Sequence, residues 1–308
     1  MPTDKNILQK ASRFSNNAMG TVFEIFIDEQ DRRYARQAAD EAFRLCDALE
    51  QVLSHFIANS DVSRISALHK NESTKVSPKT FACLVHCKHL YAMTGGVFDV
   101  TIGSLMKVWL NDDKTLRQPS ASELAEARRR SGMDLLELDE SGFTVKVLAD
   151  NLAIDLGGYG KGYAVDRMAE SLREWSISRF LIHAGKSSVL AGAPPAGTDG
   201  WPIYLTDPDD SANLIKELML ANSAVGASGL LKGFHIIDPR TAQPVLRQRA
   251  VWVFAADAAF ADALSTAFMI FSEDEIGRFC SRFPNVRAFV VRGDKGDEEN
   301  RFLYFGAW

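Results

Sequence analysis

The chain has 308 residues, 46% of them hydrophobic and 24% charged, with a formal net charge of −5. This is the make-up of a folded globular protein long enough for one large core or two modest ones. The acidic balance argues against an electrostatic nucleic-acid binder. No apolar run reaches the length of a membrane span. Met1 to Asn6 carries neither an apolar signal core nor a cleavage site, so a cytoplasmic location is expected.

Taken in order, the alternation of Phe23, Ile25 and Ile27 predicts a strand from Thr21 to Asp28. Met19-Gly20 ahead of it reads as a turn that exposes the methionine. Arg32 to Leu53 reads as an amphipathic helix, apolar at Ala35, Ala38, Ala42, Leu45, Leu49 and Leu53. Ser54 to Ser66 reads as polar and irregular. Phe56 stands alone in it, either a core plug or a ring that stacks on a flat ligand.

Pro78 to Thr94 predicts a second helix, ended by Gly95-Gly96. Cys83, His86, Cys87 and His89 crowd this helix. Their spacing matches no common zinc site, and reduced thiols on a part-buried helix are the simpler reading. Asp99 follows Val97 and Phe98, either as an exposed strand residue or as a site acid. Residues 111–132 read as a charged, solvated helical segment. Leu135 to Leu138 and Phe143 to Leu148 predict a hairpin.

The richest stretch runs from Asp155 to Asp166. Leu152 and Ile154 read as the end of a strand. Glycines at 157, 158, 160 and 162 then lead into a helix with apolar positions at Ala164, Val165, Met168, Ala169 and Leu172. Such a turn offers bare N–H groups to a phosphate, or bare carbonyls to a metal ion. It matches neither the dinucleotide fingerprint nor a P-loop, and neither does Gly185-Lys186-Ser187. Asp155 and Lys161 flank the glycines as ionisable groups that need a partner or a ligand.

Further on, Arg179 to His183, Ile203 to Thr206 and Val251 to Ala256 read as strands. Ala224 to Gly229 reads as a turn of small residues against a ligand or another backbone. His235, beside Asp238-Pro239, is structural unless other chemistry converges on it. Ala258 to Phe271 predicts a nearly apolar helix. Asp262 and Thr266 lie one turn apart on it, on one face. Two hard oxygens there suit a cation such as Mg²⁺. The alternative is Thr266 bonding back to the carbonyl of residue 262. The rest of this helix is apolar or small, so Asp262 is expected to point inward. Val286 to Arg292 and Arg301 to Phe305 predict a last hairpin.

Together these motifs resemble those of the ApbE-type FAD:protein FMN transferases. The matching segments are Met19-Gly20-Thr21, Gly96 to Leu105 followed by Trp109, Asp155 to Asp166, His235 to Thr241, and Ala261 to Thr266. The resemblance implies an α+β fold of one two-lobed unit over residues 1–308. Mostly antiparallel sheets are flanked by helices, with a flavin cleft between the lobes. It implies that FAD is a substrate, whose FMN half passes to a threonine hydroxyl of a target protein with release of AMP. Carried over by position, Met19, Phe56, Val97, Phe98, Asp99, Asp155, Lys161 and Ile237 would line the FAD site. The carbonyl of Gly158 and the side chains of Asp262 and Thr266 would hold Mg²⁺. His235 would activate the attacking hydroxyl. The chain departs from the family pattern at Gly185-Lys186-Ser187, at Ala227-Ser228-Gly229, in the short segment 230–234, at Ala242 and at Ser104. Its rivals are an FAD pyrophosphatase and a non-catalytic flavin-binding protein on the same fold.

Overall fold

The computed structural model describes residues 5–111, 115–208, 210, 212–230, 236–245, 248–292 and 301–308. The expectations placed on residues outside these, His235 among them, are not addressed by it.

A short helix α1 (Lys5–Lys10) leads into the hairpin β1 (Ser12–Ala18) and β2 (Thr21–Ile27). The turn between them holds Met19 at φ +50° and Gly20 at φ +69°. Met19 is half-buried against the main core instead of standing free. Helix α2 (Arg32–Leu53) starts on Asp31, whose carboxylate accepts the Arg33 and Tyr34 N–H groups. The expected irregular stretch instead contains a helix, α3 (Asp61–Ser66), capped by the Ser60 hydroxyl on Ser63 N–H. The polar composition concealed it because Asp61 is turned inward and satisfied there.

Asp61 accepts hydrogen bonds from Ser77 N–H at 2.8 Å and Thr80 Oγ1 at 2.7 Å, and pairs with Arg64. Burial pushes its carboxyl up, but these donors outweigh burial and leave it below the ordinary range. A carboxyl depressed by folding stabilises the protein at neutral pH, and that share is lost as pH falls through its folded value. Asp61→Ala is expected to cost roughly 1.5–3 kcal/mol, the range for a hydrogen bond to a charged group. Urea midpoints at pH 7 would show the loss, and at acid pH the gap from the wild type should shrink.

Strand β3 (Ser73–Lys75) precedes α4 (Pro78–Met93), α5 (Gly103–Trp109) and α6 (Ala121–Arg129). Only residues 121–129 of the expected helical segment form α6. It begins at a capping box of Ser120 and Glu123. Strands β4 (Leu136–Asp139) and β5 (Thr144–Val147) make the predicted hairpin, and β3 adds to it in the order β3-β5-β4. No regular strand forms at Leu152 to Ile154. Ala153 makes one parallel bridge to Ile102, and Asp155 N–H reaches Val100 O at 2.7 Å.

Next come α7 (Gly160–Glu174), β6 (Phe180–Ala184), β7 (Ser188–Ala191), β8 (Trp201–Thr206), β9 (Leu214–Leu220) and β10 (Ser223–Gly229). The chain closes with β11 (Ile237–Asp238), β12 (Gln243–Pro244), β13 (Gln248–Ala255), α8 (Ala258–Ile270), α9 (Glu273–Arg282), β14 (Arg287–Arg292) and β15 (Phe302–Phe305). The largest sheet is antiparallel, in the order β1-β2-β6-β7-β10-β13-β14-β15.

Strand alternation splits this sheet's side chains between two cores. Phe23, Ile25, Phe180, Ile182, Val251 and Val253 face the helices α2, α7 and α8 in the main core. Leu181, Val225, Phe254 and Phe289 face the hairpin β8–β9, with the fully buried Trp201. A third, smaller cluster gathers Leu105, Trp109, Ala127, Ile237 and Ala242.

The expected turn at Ala224 to Gly229 is the central strand β10. Its small residues serve helix approach: a Cβ on Gly226 would lie 2.2 Å from the backbone of Ala261. The part of that reading that placed the residues against another backbone holds, and that backbone is α8.

Candidate active site

The site lies where the start of α7 crosses α8. A Cβ on Gly162 would lie 2.3 Å from Ala258 O, so only glycine lets the helices meet. Asp166, four residues on, accepts Ala258 N–H at 2.7 Å and Ala259 N–H at 2.8 Å. It pins α7 to the first turn of α8, where the helix dipole favours an acid. Burial pushes its carboxyl up to about 7, against the pull of those two N–H groups.

This junction brings the expected metal residues together. Asp262 is 2% exposed, and its Oδ2 accepts Gly162 N–H at 3.1 Å. Thr266 follows one turn later, half-buried. A Cβ on Gly158 would lie 2.8 Å from Thr266 Oγ1, so the glycine loop runs directly against that hydroxyl. The expected back-bond from Thr266 to Asp262 O is present but long, at 3.5 Å, while Ser265 makes the shorter one at 2.8 Å.

Sequence reasoning missed the hydroxyls behind this face. Ser228 Oγ stands 2.8 Å from Ser265 Oγ and 3.1 Å from Thr266 Oγ1. Their signal was the run of small residues, which was read as a turn and not as a strand beneath a helix. The amide of Gly162 was missed because its partner lies 100 residues further along the chain.

The glycine turn is less open to phosphate than its composition implied. Gly157 N–H is bonded to Asp155 Oδ1 at 2.6 Å. The Tyr159 and Gly160 N–H groups are bonded to Leu156 O, and Gly162 N–H to Asp262. Those amides are spent inside the protein, which favours the alternative in which a carbonyl of the turn meets a cation. Lys161 is half-buried, with Nζ on Gly157 O at 3.0 Å.

The expected FAD residues divide into two groups. Asp155, Lys161 and Phe56 border the same loop: His55 Nδ1 lies 4.0 Å from Asp155 Oδ2, and Phe56 is 82% exposed beside it. Asp99 is joined to them through Val100 O and Asp155 N–H. It is 7% exposed, not an exposed strand residue, and accepts Thr101 N–H at 2.8 Å and Thr101 Oγ1 at 2.7 Å. Burial raises its carboxyl above the ordinary value despite those bonds. Val97 and Phe98 are packed into the main core, and Ile237 into the third cluster.

Met19 sits at the end of the sheet that also carries the Gly185–Ser187 turn. Gly185 N–H bonds Val22 O at 2.9 Å, and Ala227 N–H bonds Ser187 O at 2.6 Å. Cys83 and Cys87 are fully buried in the main core, while His86 Nδ1 lies 3.2 Å from Tyr159 OH. Among the described residues, no group of three or more His, Cys, Asp or Glu side chains is placed to hold a metal ion. A cation at the α7–α8 junction would therefore rest on a mixed set of carboxylate, hydroxyl and carbonyl.

Known proteins are similar to this chain in sequence and in fold. The FAD:protein FMN transferase of Chlamydia muridarum is 28% identical, over 78% of this chain and 78% of its own length. That of Vibrio cholerae is 26% identical, over 92% and 89%. The crystal structure of the ApbE protein of Thermotoga maritima matches with a TM-score of 0.84 at 27% identity, covering 96% of this chain and 97% of its own. The flavin transferase ApbE from Vibrio cholerae shares the fold, with a TM-score of 0.83 at 22% identity, covering 96% of this chain and 97% of that one. The model of the ApbE family matches residues 19–290, which hold the glycine turn, the buried acid of α8 and the strand beneath them. On that match the chain belongs to the ApbE family.

Proposed function

We propose that this chain is an FAD:protein FMN transferase in which a threonine hydroxyl of the target protein takes the FMN phosphate and AMP leaves. The observation that carries the reading is the α7–α8 junction, where Asp262, Thr266 and the loop at Gly158 converge. Their donors are all hard oxygens, and the glycine leaves space that a side chain would fill. That set fits a small divalent cation such as Mg²⁺. In our reading the Gly158 carbonyl, the Asp262 carboxylate and the Thr266 hydroxyl hold it. When bound, it would supply positive charge to the pyrophosphate oxygens.

The chain's own groups do the rest. Lys161, whose ammonium meets the Gly157 carbonyl among the described residues, can turn it to a phosphate. Asp99, Asp155 and Phe56, with Met19, Val97, Phe98 and Ile237, make up the FAD site. His235 is the general base that takes the proton of the attacking hydroxyl, since imidazole titrates near neutral pH. We treat the whole chain as one unit, a reading supported by a main core that draws on residues from Phe14 to Val290.

Among the described residues, no helix is long and apolar enough to cross a membrane. The free, buried thiols of Cys46, Cys83, Cys87 and Cys280 suit a reducing compartment, and we place the reaction in the cytoplasm. Incubation with FAD, Mg²⁺ and a candidate acceptor domain is expected to give a fluorescent adduct that survives denaturation, with AMP in equal amount. Free FMN and AMP without adduct would instead mark a pyrophosphatase. FAD left intact would mark a binding protein.

A further inference from the structure

We infer that His55 is a positioning residue for FAD, holding Phe56 and Asp155 in the places where the nucleotide needs them. This rests on the reading of those two residues as part of the FAD site.

The loop after α2 is fixed through its backbone. Ser54 N–H bonds Glu50 O at 3.0 Å, Phe56 N–H bonds Ser54 Oγ at 3.3 Å, and the Ser63 hydroxyl bonds His55 O at 3.2 Å. The imidazole is thereby held between two site groups. Its ring centroid lies 4.0 Å from that of Phe56, at an interplanar angle of 44°. Its Nδ1 lies 4.0 Å from Asp155 Oδ2. The other Asp155 oxygen is already fixed by Gly157 N–H.

Phe56 is 82% exposed, and among the described residues His55 is its ring partner. An aromatic side chain that open to solvent loses rotamer freedom when a ligand stacks on it. A neighbour that restricts it beforehand lowers that cost, by about 0.5–1.5 kcal/mol for one side chain. That corresponds to about 2- to 10-fold in affinity. At 4.0 Å the contact with Asp155 is longer than a hydrogen bond. The ring therefore carries the larger share of the effect.

The test uses the full chain, with FAD binding read by quenching of flavin fluorescence and transfer measured to an acceptor domain. His55→Ala is expected to raise both the Kd and the KM for FAD about 2- to 10-fold, with kcat close to wild type. His55→Phe keeps the ring and should restore most of the affinity, while His55→Asn should not. Unchanged FAD affinity in His55→Ala would overturn the inference. So would a fall in kcat at constant KM, or equal rescue by asparagine and phenylalanine. Phe56→Ala and Asp155→Asn separate the two levels. If they weaken FAD binding while His55→Ala is silent, only the role of His55 fails. If they too bind FAD like the wild type, the FAD-site reading fails with it.

Discussion

Asp262→Ala is expected to abolish FMN transfer. The carboxylate supplies the only formal negative charge of the proposed cation site, and it does so from a position 2% exposed. Loss of a cation that stabilises developing phosphate charge removes several kcal/mol. About 4 kcal/mol is on the order of 10³-fold in rate. Alanine also strips Gly162 N–H of its acceptor, so part of its effect could come from loosened helix packing. Asp262→Asn separates the two, because its amide oxygen keeps a partner for Gly162 N–H while the charge is gone. The asparagine variant should melt near the wild type without Mg²⁺ and lack the rise in Tm expected of the wild type when Mg²⁺ is added. Wild-type transfer by either variant would refute the metal assignment.

Gly226→Ala is expected to be the most destabilising single-methyl change in the sheet. The added Cβ would stand 2.2 Å from the carbonyl carbon and oxygen of Ala261, which are helix backbone and cannot rotate aside. Strand β10 lies between β7 and β13, so it cannot retreat without breaking both ladders. Overpacking typically costs 1–3 kcal/mol and occasionally more. A backbone clash belongs at the top of that range, roughly 3 kcal/mol. Moving α8 would also carry Asp262 away from Gly162, so transfer should fall with stability. Gly277→Ala is the control of opposite sign. It sits inside α9, and its nearest neighbour is a Phe305 ring atom at 4.0 Å. Replacing glycine by alanine in an open helix position should add up to about 1 kcal/mol. Urea denaturation of the two variants would show whether space or backbone freedom governs these glycines. Similar shifts in both would count against the packing argument.

Much of the fold was legible because local chemistry and burial agreed. Helix α2 was bounded correctly from its apolar spacing; β2, β4, β5 and β14 were placed to within a residue, and β13 was found but begins at Gln248, three residues before the expected start. α2 shows one face to a core and the other to solvent, so its period appears in the residues, whereas β13 and β14 run between two cores and read as short continuous apolar stretches. β1 was missed because its sequence, Ser12-Arg13-Phe14-Ser15-Asn16-Asn17-Ala18, buries only Phe14 and Ala18 and is held as an edge strand by β2. α3 was missed because it is short and mostly polar, and one of the three residues it buries, beside Val62 and Ile65, is the carboxylate of Asp61. β10 was misread because glycine and alanine signal turns in isolation, whereas here they let a helix lie close on a strand.

The sequence alone determined which motifs to expect at the site, though not the hydroxyls of Ser228 and Ser265 or the amide of Gly162. The ordered motifs named the glycine turn, the acid and hydroxyl one helical turn apart, and the family. The inward face of Asp262 followed from the apolar company it keeps on α8. Only the tertiary structure decided what those groups do to one another. It spent four of the turn's amides on internal bonds, set Gly158 against Thr266 and Gly162 against Asp262, and placed His55 between Phe56 and Asp155. The reason is physical: periodicity records which face of an element is buried, but the partner that buries it can lie 100 residues away and leaves no local mark.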